Sequence, residues 1–157
     1  HPFVLCISSA FKNCVTLLLN LPIILIVLFI NDSFHIISLF YCLIFLLLFF
    51  ISNICISYIF GTLCLKYRDL EHTINVFFGI LFFFTPIIWE VNQLGSKVLL
   101  IQPNLLYHYI EFFRSGLINS SVNTISMFVV FFSTICLVLF TSYLSNRIKN
   151  KITYWVD

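Results

Sequence analysis

Charged residues are so sparse and so unevenly spaced that they divide this 157-residue chain into long uncharged stretches. No Asp, Glu, Lys or Arg stands between Lys12 and Asp32, between Asp32 and Lys66, or between Arg114 and Arg147. A helix needs about 20 mainly apolar residues to cross the roughly 30 Å core of a bilayer. Because a spanning segment must satisfy its own backbone groups in lipid, these stretches predict membrane-spanning helices.

The uncharged stretches predict an all-α membrane protein with four transmembrane helices, at about 13–31, 36–62, 73–89 and 124–144. Composition supports this, since 61% of the residues are hydrophobic and 9% are charged. A soluble domain carries about 25% charged residues. We therefore expect one transmembrane domain over 1–157. Because the sequence begins with His1 rather than Met, we also expect it to be an N-terminally truncated fragment.

The distribution of Lys and Arg predicts which side of the membrane each connection faces. Four spans place both ends of the chain on one side. That side carries six of the eight basic residues: Lys12, Lys66, Arg68, Arg147, Lys149 and Lys151. The other side carries Lys97 and Arg114 alone. The positive-inside rule then predicts that both ends and the turn at 66–72 are cytoplasmic, and that 90–123 lies outside.

The segment 91–119, between the third and fourth predicted spans, is expected to form short re-entrant or interfacial helices. Its run after Asn104 is too short and too mixed in polarity to cross a bilayer. Glu111 and Arg114 are three residues apart and would share one helical face. The aromatic residues of this run are Tyr107, Tyr109, Phe112 and Phe113. Irregular backbone at such depth persists only where protein or a wet cavity surrounds it.

The sequence offers no pattern for catalysis or for a cofactor. None of the six cysteines forms a C-x-x-C pair, so we interpret them as small apolar residues, most of them within spans. The four histidines, His108 among them, show no metal-ligand spacing and are expected to be solvated near span boundaries. No Gly-rich phosphate loop is present, and no basic cluster lies on a soluble face. We expect no enzyme activity, no ATPase, no metal, no cofactor and no nucleic-acid partner.

Three short patterns remain, and each has a simple explanation alone. The first is Arg68-Asp69, in a charged turn that a solvated loop would explain. The second is Thr85-Pro86-Ile87-Ile88-Trp89, which a proline-ended helix with an interfacial tryptophan would explain. The third is Pro103-Asn104-Leu105, followed by Arg114, which an amphipathic surface helix would explain.

In their order and spacing, the three patterns resemble the permease subunit of type-2 ABC exporters of lipid-linked polysaccharides such as O-antigen, teichoic acid and capsule. That family has an Arg-Asp pair, then a Ser/Thr-Pro-aliphatic-aliphatic-Trp motif, then an Asn-Pro-Leu motif and a later arginine. This sequence reads Pro103-Asn104-Leu105 at the third motif, so the first two residues are inverted. The resemblance covers about 2–147.

The resemblance implies that the four spans are the last four of six helices in a homodimeric permease of the bacterial inner membrane. It implies that Arg68 and Asp69 face a separate ATP-binding subunit on the cytoplasmic side. Pro86 and Trp89 would form an outer helix break at the membrane interface. A re-entrant segment would contain Asn104, Tyr107, Glu111, Phe113 and Arg114. A lipid-linked polysaccharide would pass through the dimer.

Two other classes of protein stay open at this point. The chain could be a membrane-embedded structural or assembly subunit with no transport path of its own. Small residues inside the spans suit close helix packing equally well, and these are Ser52, Ser57, Gly61 and Gly79. A membrane enzyme acting on lipids is the third class, but no paired acids or metal ligands support it.

Overall fold

The structure is a computed structural model that describes residues 2–30, 35–67, 69–86, 101–118 and 122–148. Every regular element in these ranges is an α-helix, which confirms the predicted all-α fold. The helices are α1 (Pro2–Ile30), α2 (Ile36–Lys66), α3 (Leu70–Phe84), α4 (Leu105–Ile118) and α5 (Thr124–Ile148). Within the described ranges, α1, α2 and α5 are long and apolar enough to cross a membrane.

The long helix α2 lies at the centre, and α1 packs along it in the opposite direction. Near the start of α1, the ring of Phe3 lies 4.7 Å from the ring of Tyr58, late in α2. Near the end of α1, Leu28 packs in one cluster with Cys42, early in α2. The two helices therefore form an antiparallel pair.

α5 runs parallel to α2 on another side of it. Val130 of α5 packs in one cluster with Leu48 of α2. Further along both helices, the Oγ1 atom of Thr141 lies 3.5 Å from the sulfur of Cys55. Both helices consequently end at the same end of the bundle. We call it the basic end, because Lys66 and Arg147 line one cleft there.

α1 begins eleven residues before the predicted start of the first span, so that Lys12 lies within the helix. A charge in lipid is costly, which is why the sequence places the boundary at this lysine. A helix does not have to end where the membrane does, and the side chain of Lys12 is exposed, so its aliphatic stem can carry the charge away from the bundle. One residue later, the amide of Asn13 donates to that of Asn53 in α2 at 3.1 Å.

α3 is shorter than the predicted span at 73–89. Its 15 residues extend about 22 Å, which is less than the bilayer core. The helix ends at Phe84 because Pro86 disfavours helical geometry at the residue before it. Thr85 accordingly adopts an extended conformation, with φ −96° and ψ 133°. Residues 87–89 lie outside the described residues.

Small hydroxyl side chains occupy much of the interior. Four of them donate to carbonyl oxygens three or four residues earlier in their own helices: Ser52, Thr62, Thr134 and Thr141. Such bonds satisfy the hydroxyl without a partner helix, so these residues permit close helix approach in lipid. Large side chains fill one cluster, which contains Phe45, Leu48, Phe112 and Val130.

Candidate functional site

The short helix α4 packs back into the bundle, antiparallel to both α2 and α5. Near its end, Gly116 lies so close to α2 that an added Cβ would meet the Cβ of Tyr41 at 3.1 Å. Near its start, the Tyr109 hydroxyl lies 2.7 Å from the hydroxyl of Ser52, which stands near the midpoint of α2. α4 therefore begins about halfway along the bundle and runs to the end opposite the basic end.

Asn104 provides the start of α4 and links it to α3. Its side-chain oxygen accepts from the backbone N–H of Leu106 at 3.0 Å, which caps the first turn. Its side-chain nitrogen donates to the hydroxyl of Thr85 at 3.1 Å. That hydroxyl in turn donates to the carbonyl of Leu81 at 2.8 Å. A helix start inside an apolar bundle needs such partners, because lipid offers none.

His108 links α4 to the preceding turn and to α5. Its Nε2 lies 2.8 Å from the carbonyl oxygen of Gln102, and its Nδ1 lies 3.2 Å from the hydroxyl of Ser126. A carbonyl oxygen only accepts, so Nε2 carries the proton. In the neutral ring, Nδ1 then accepts from Ser126. His108 is 5% exposed, and the expectation of a solvated histidine is wrong at this position.

Two further hydrogen bonds attach α4 to its neighbours. Ser52 donates to the carbonyl of Leu48 at 2.6 Å, so the 2.7 Å bond to Tyr109 has the tyrosine as donor. At the other end of α4, the hydroxyl of Ser115 accepts from the backbone N–H of Asn123 at 3.3 Å. Polar bonds thus join α4 to α2 and to both segments that flank it.

We call the set Thr85, Asn104, His108 and Ser126 the polar junction.

The two faces of α4 have different surroundings. His108, Phe112 and Ser115 follow a helical spacing and are all buried. Tyr107, Glu111 and Arg114 each precede one of these residues, so they lie on an adjacent face about 100° around the helix, and all three are half-buried. Glu111 and Arg114 are two of the chain's fourteen charged residues. Because lipid tails cannot solvate charge, this charged face needs water, headgroups or another polar surface beside it.

The remaining predicted site residues are distributed along the molecule. Phe113 packs on Phe45, with ring centroids 4.8 Å apart. Pro86 is under 2% exposed and follows Thr85 of the polar junction. Asp69 is exposed at the basic end, where it lines a cleft of about 410 Å³ in front of α3. Arg68 and Trp89 lie outside the described residues.

The polar junction was only partly foreseeable. Asn104 and the Thr85-Pro86 break were identified from the sequence, but their hydrogen bond was not. His108 and Ser126 were missed. A signal existed, because His108 stands four and seven residues before Phe112 and Ser115 and so shares their face. That spacing alone does not say which face of α4 is buried.

The chemistry available to the polar junction is hydrogen bonding. Both ring nitrogens of His108 are engaged by a carbonyl and a hydroxyl group. In the described part of the chain, no three His, Cys, Asp or Glu residues are grouped closely enough to hold a metal ion. The junction's evident role is to fix the end of α3, the start of α4 and the first turn of α5 relative to one another.

Comparison of the chain with protein-family models, with curated proteins and with solved structures gives no match.

Proposed function

We propose that this chain is the membrane-embedded permease of a type-2 ABC exporter, which moves a lipid-linked polysaccharide across the bacterial inner membrane. A separate ATP-binding subunit drives it. The observation that carries the proposal is the packing of α4. A simple connection between two spans would not be expected to contain a helix that begins halfway along the bundle. In α4, both Phe112 and His108 are buried.

The charged face of α4 supports a transport path over a purely structural role. Glu111 and Arg114 are half-buried beside an otherwise apolar bundle. Charges at this depth are costly unless they border water or a polar cargo. A polysaccharide supplies hydroxyl groups for such charges and sugar faces for aromatic rings such as that of Tyr107. In the proposed exporter, this face of α4 borders the polymer near its exit.

A second copy of the chain is part of the proposal. α1 and α3 present large exposed apolar side chains, including Phe11, Phe29, Phe82 and Phe84. Lipid covers such surfaces, and so does another membrane protein. A homodimer would enclose a path between two copies. The exporter assignment also gives Asp69, in the turn before α3, a place facing the ATP-binding subunit.

Deletion of the gene in its host tests the function directly. We expect the polysaccharide to disappear from the cell surface and its lipid-linked form to accumulate inside. Complementation by the full gene should restore export only when an ATP-binding subunit is present with an intact nucleotide site. Unchanged surface polysaccharide after deletion would refute the exporter assignment and favour the structural or assembly subunit.

The charged face of α4 gives a sharper test within the exporter. Reversing a half-buried charge costs more than the 0–1 kcal/mol associated with a solvated ion pair. We therefore expect Arg114→Glu to reduce the export rate by about tenfold or more while the protein remains in the membrane. Lys12→Glu makes the same charge change at an exposed position of α1 and serves as the matched control. Equal export rates for the two variants would show that α4 does not border the transport path.

The proposal also fixes the orientation, with the basic end in the cytoplasm. Single cysteines at Asp69 and Asn123, in an otherwise cysteine-free chain, report on the two ends of the bundle. Both positions are exposed. In intact cells an impermeant thiol reagent should label position 123 and spare position 69. The reverse labelling would show that the positive-inside prediction is wrong for this chain.

A further inference from the structure

One side of α1 carries a repeating pattern that the rest of the bundle leaves uncovered. Its residues follow one another at alternating spacings of four and three: Ser9, Asn13, Thr16, Asn20, Ile23, Val27 and Ile30. All of them are exposed. The spacing averages 3.5 residues, which is the a/d repeat by which two helices pack along their length in a coiled coil. We call this set the α1 seam.

The polar residues of α1 are concentrated on the seam. After Lys12, every Ser, Thr or Asn residue of the helix belongs to it. The later seam residues are apolar and strongly exposed, with Ile23 at 63% and Ile30 at 75%. From Ser9 to Ile30 the seam is about 32 Å long, close to the thickness of a bilayer core. Its polar half lies towards the basic end, where α1 begins.

The seam amides have a hydrogen-bonding capacity that the described residues do not use. Asn13 donates one N–H to the side-chain oxygen of Asn53 in α2 at 3.1 Å, which holds the Asn13 side chain in place and leaves its own carbonyl oxygen as an acceptor. The amide of Asn20 makes no hydrogen bond to any other described residue. Lipid tails offer no partner, and an unpaired amide in hydrocarbon is costly. A polar surface must therefore cover this part of α1.

We propose that the α1 seam is the contact between two copies of this chain, which pair through α1 as a parallel two-helix coiled coil. Copies inserted in the same orientation are related by a two-fold axis along the membrane normal. Such an axis brings α1 against its own copy in parallel and at the same depth, so that each seam residue faces its counterpart. An amide group both donates and accepts, so Asn13 and Asn20 can each bond to the same residue of the second copy.

A second copy suits the seam better than a lipid does. A lipid headgroup stays at the membrane surface, whereas Asn20 lies about 16 Å deeper than Ser9 along the helix. Asn residues that are seven apart also fix the register of a parallel pair, because a slipped pair would leave both amides unbonded. The pairing follows from the seam alone and does not depend on the exporter assignment. It leaves the charged face of α4 outside the contact.

Sedimentation equilibrium of the full chain in density-matched detergent micelles measures the pairing. Asn13→Leu and Asn20→Leu should each raise the dissociation constant of the dimer about fivefold, and the double variant about 25-fold, because hydrogen bonds between membrane helices are individually modest. Asn20→Gln keeps the amide and should retain the dimer. Asn75→Leu makes the same exchange at an exposed position of α3 and is the matched control, for which we expect an unchanged dissociation constant.

Cysteine cross-linking in membranes tests the parallel register. In an otherwise cysteine-free chain, Ile23→Cys and Val27→Cys should each form a covalent dimer with copper phenanthroline, because each thiol meets its own copy. Leu18 is also exposed but lies on the opposite side of α1, about 140–180° around the helix from these two positions. Leu18→Cys should therefore stay monomeric.

The two experiments can each overturn the proposal. An unchanged dissociation constant in the double Leu variant would do so. A monomeric wild-type chain would also do so, and would leave the seam to a helix of another membrane protein. Equal weakening by Asn75→Leu would show non-specific association of an apolar protein. Cross-linking of Leu18→Cys without cross-linking of Ile23→Cys would mean that the copies meet through another face.

Discussion

α3 and α4 are nearly equal in length, and a hydrogen bond joins Thr85, just after α3, to Asn104, just before α4, yet α3 is exposed and α4 is buried. α3 has 15 residues and buries none of its side chains. α4 has 14 residues and buries five: His108, Phe112, Ser115, Gly116 and Leu117. The exposed helix is the more apolar of the two, with Phe at five positions and charge only at Glu71. Apolarity therefore does not decide which helix packs inside this bundle.

The difference follows from the solvent. Lipid tails are as apolar as Leu or Phe, so an apolar surface gains little by leaving them for another helix. Close packing and hydrogen bonds decide instead, and α4 has both. Gly116 lets it approach Tyr41 closely, and His108 bonds to Ser126. Among the described residues, α3 contacts α2 through the rings of Phe78 and Phe60, whose centroids are 5.7 Å apart, and its exposed Phe side chains suit lipid or a second copy of the chain.

Removing a large side chain from α4 and from α3 should give the largest difference in the free energy of unfolding. Phe112 is 1% exposed, whereas Phe84 of α3 is 70% exposed. Phe112→Ala leaves a cavity of roughly 100 Å³, which costs about 2 kcal/mol of unfolding free energy at about 24 cal/mol per Å³. Phe84→Ala should cost under about 0.5 kcal/mol. Unfolding in mixed micelles measures both, and equal costs would mean that α3 is packed as tightly as α4.

The histidines of the two helices give the second contrast. His108→Leu leaves the Gln102 carbonyl and the Ser126 hydroxyl without their partner, which should cost about 1–2 kcal/mol. His72→Leu changes an exposed residue in the first turn of α3 and should cost almost nothing. The same micelle unfolding experiment compares them. An unaffected His108→Leu variant would show that the polar junction does not stabilise α4.

The spacing of charges predicted some helix ends correctly and others incorrectly. The starts of α2 and α5 were predicted at 36 and 124, where the structure has them. The start of α1 and the end of α3 were predicted wrongly. Charges indicate where the lipid ends, whereas a helix can extend past that point, as α1 does, or stop before it, as α3 does. For the candidate site, Asn104 and the Pro86 break were predicted, since both act on their own local backbone. The bond from His108 to Ser126 joins residues 18 apart, and no local pattern specifies it.

Adding a methyl group at one glycine of each helix should change the free energy of unfolding by a smaller amount, and in opposite directions for α3 and α4. An added Cβ at Gly79 of α3 meets nothing within 4 Å, whereas at Gly116 it meets the Cβ of Tyr41 at 3.1 Å. Gly79→Ala should stabilise the protein by about 0.5–1 kcal/mol through helix propensity. In Gly116→Ala the same gain is outweighed, because a Cβ is fixed to its backbone and α4 must move away from α2. We expect a net loss of about 1 kcal/mol. Stabilisation by both substitutions would mean that α4 is loosely held.

The smallest expected change in the free energy of unfolding comes from removing a single hydrogen bond between α4 and α2. Tyr109→Phe removes the hydroxyl that donates to Ser52 and leaves the ring in place. Hydrogen bonds between membrane helices contribute about 0.6 kcal/mol on average, because the separated helices also find partners. Tyr143→Phe, at an exposed position of α5, controls for the loss of a phenol hydroxyl.

A double-mutant cycle with Ser52→Ala separates this bond from the rest of the packing. Ser52 also donates to Leu48, so Ser52→Ala alone removes two interactions, and the single variants would mislead. If the bond holds α4 in place, the double variant should be less destabilised than the sum of the two singles, by about 0.6 kcal/mol. Strict additivity would mean that Tyr109 anchors α4 through its ring alone. The buried position of α4 would then rest on Phe112, Gly116 and the bonds of His108 without this contribution.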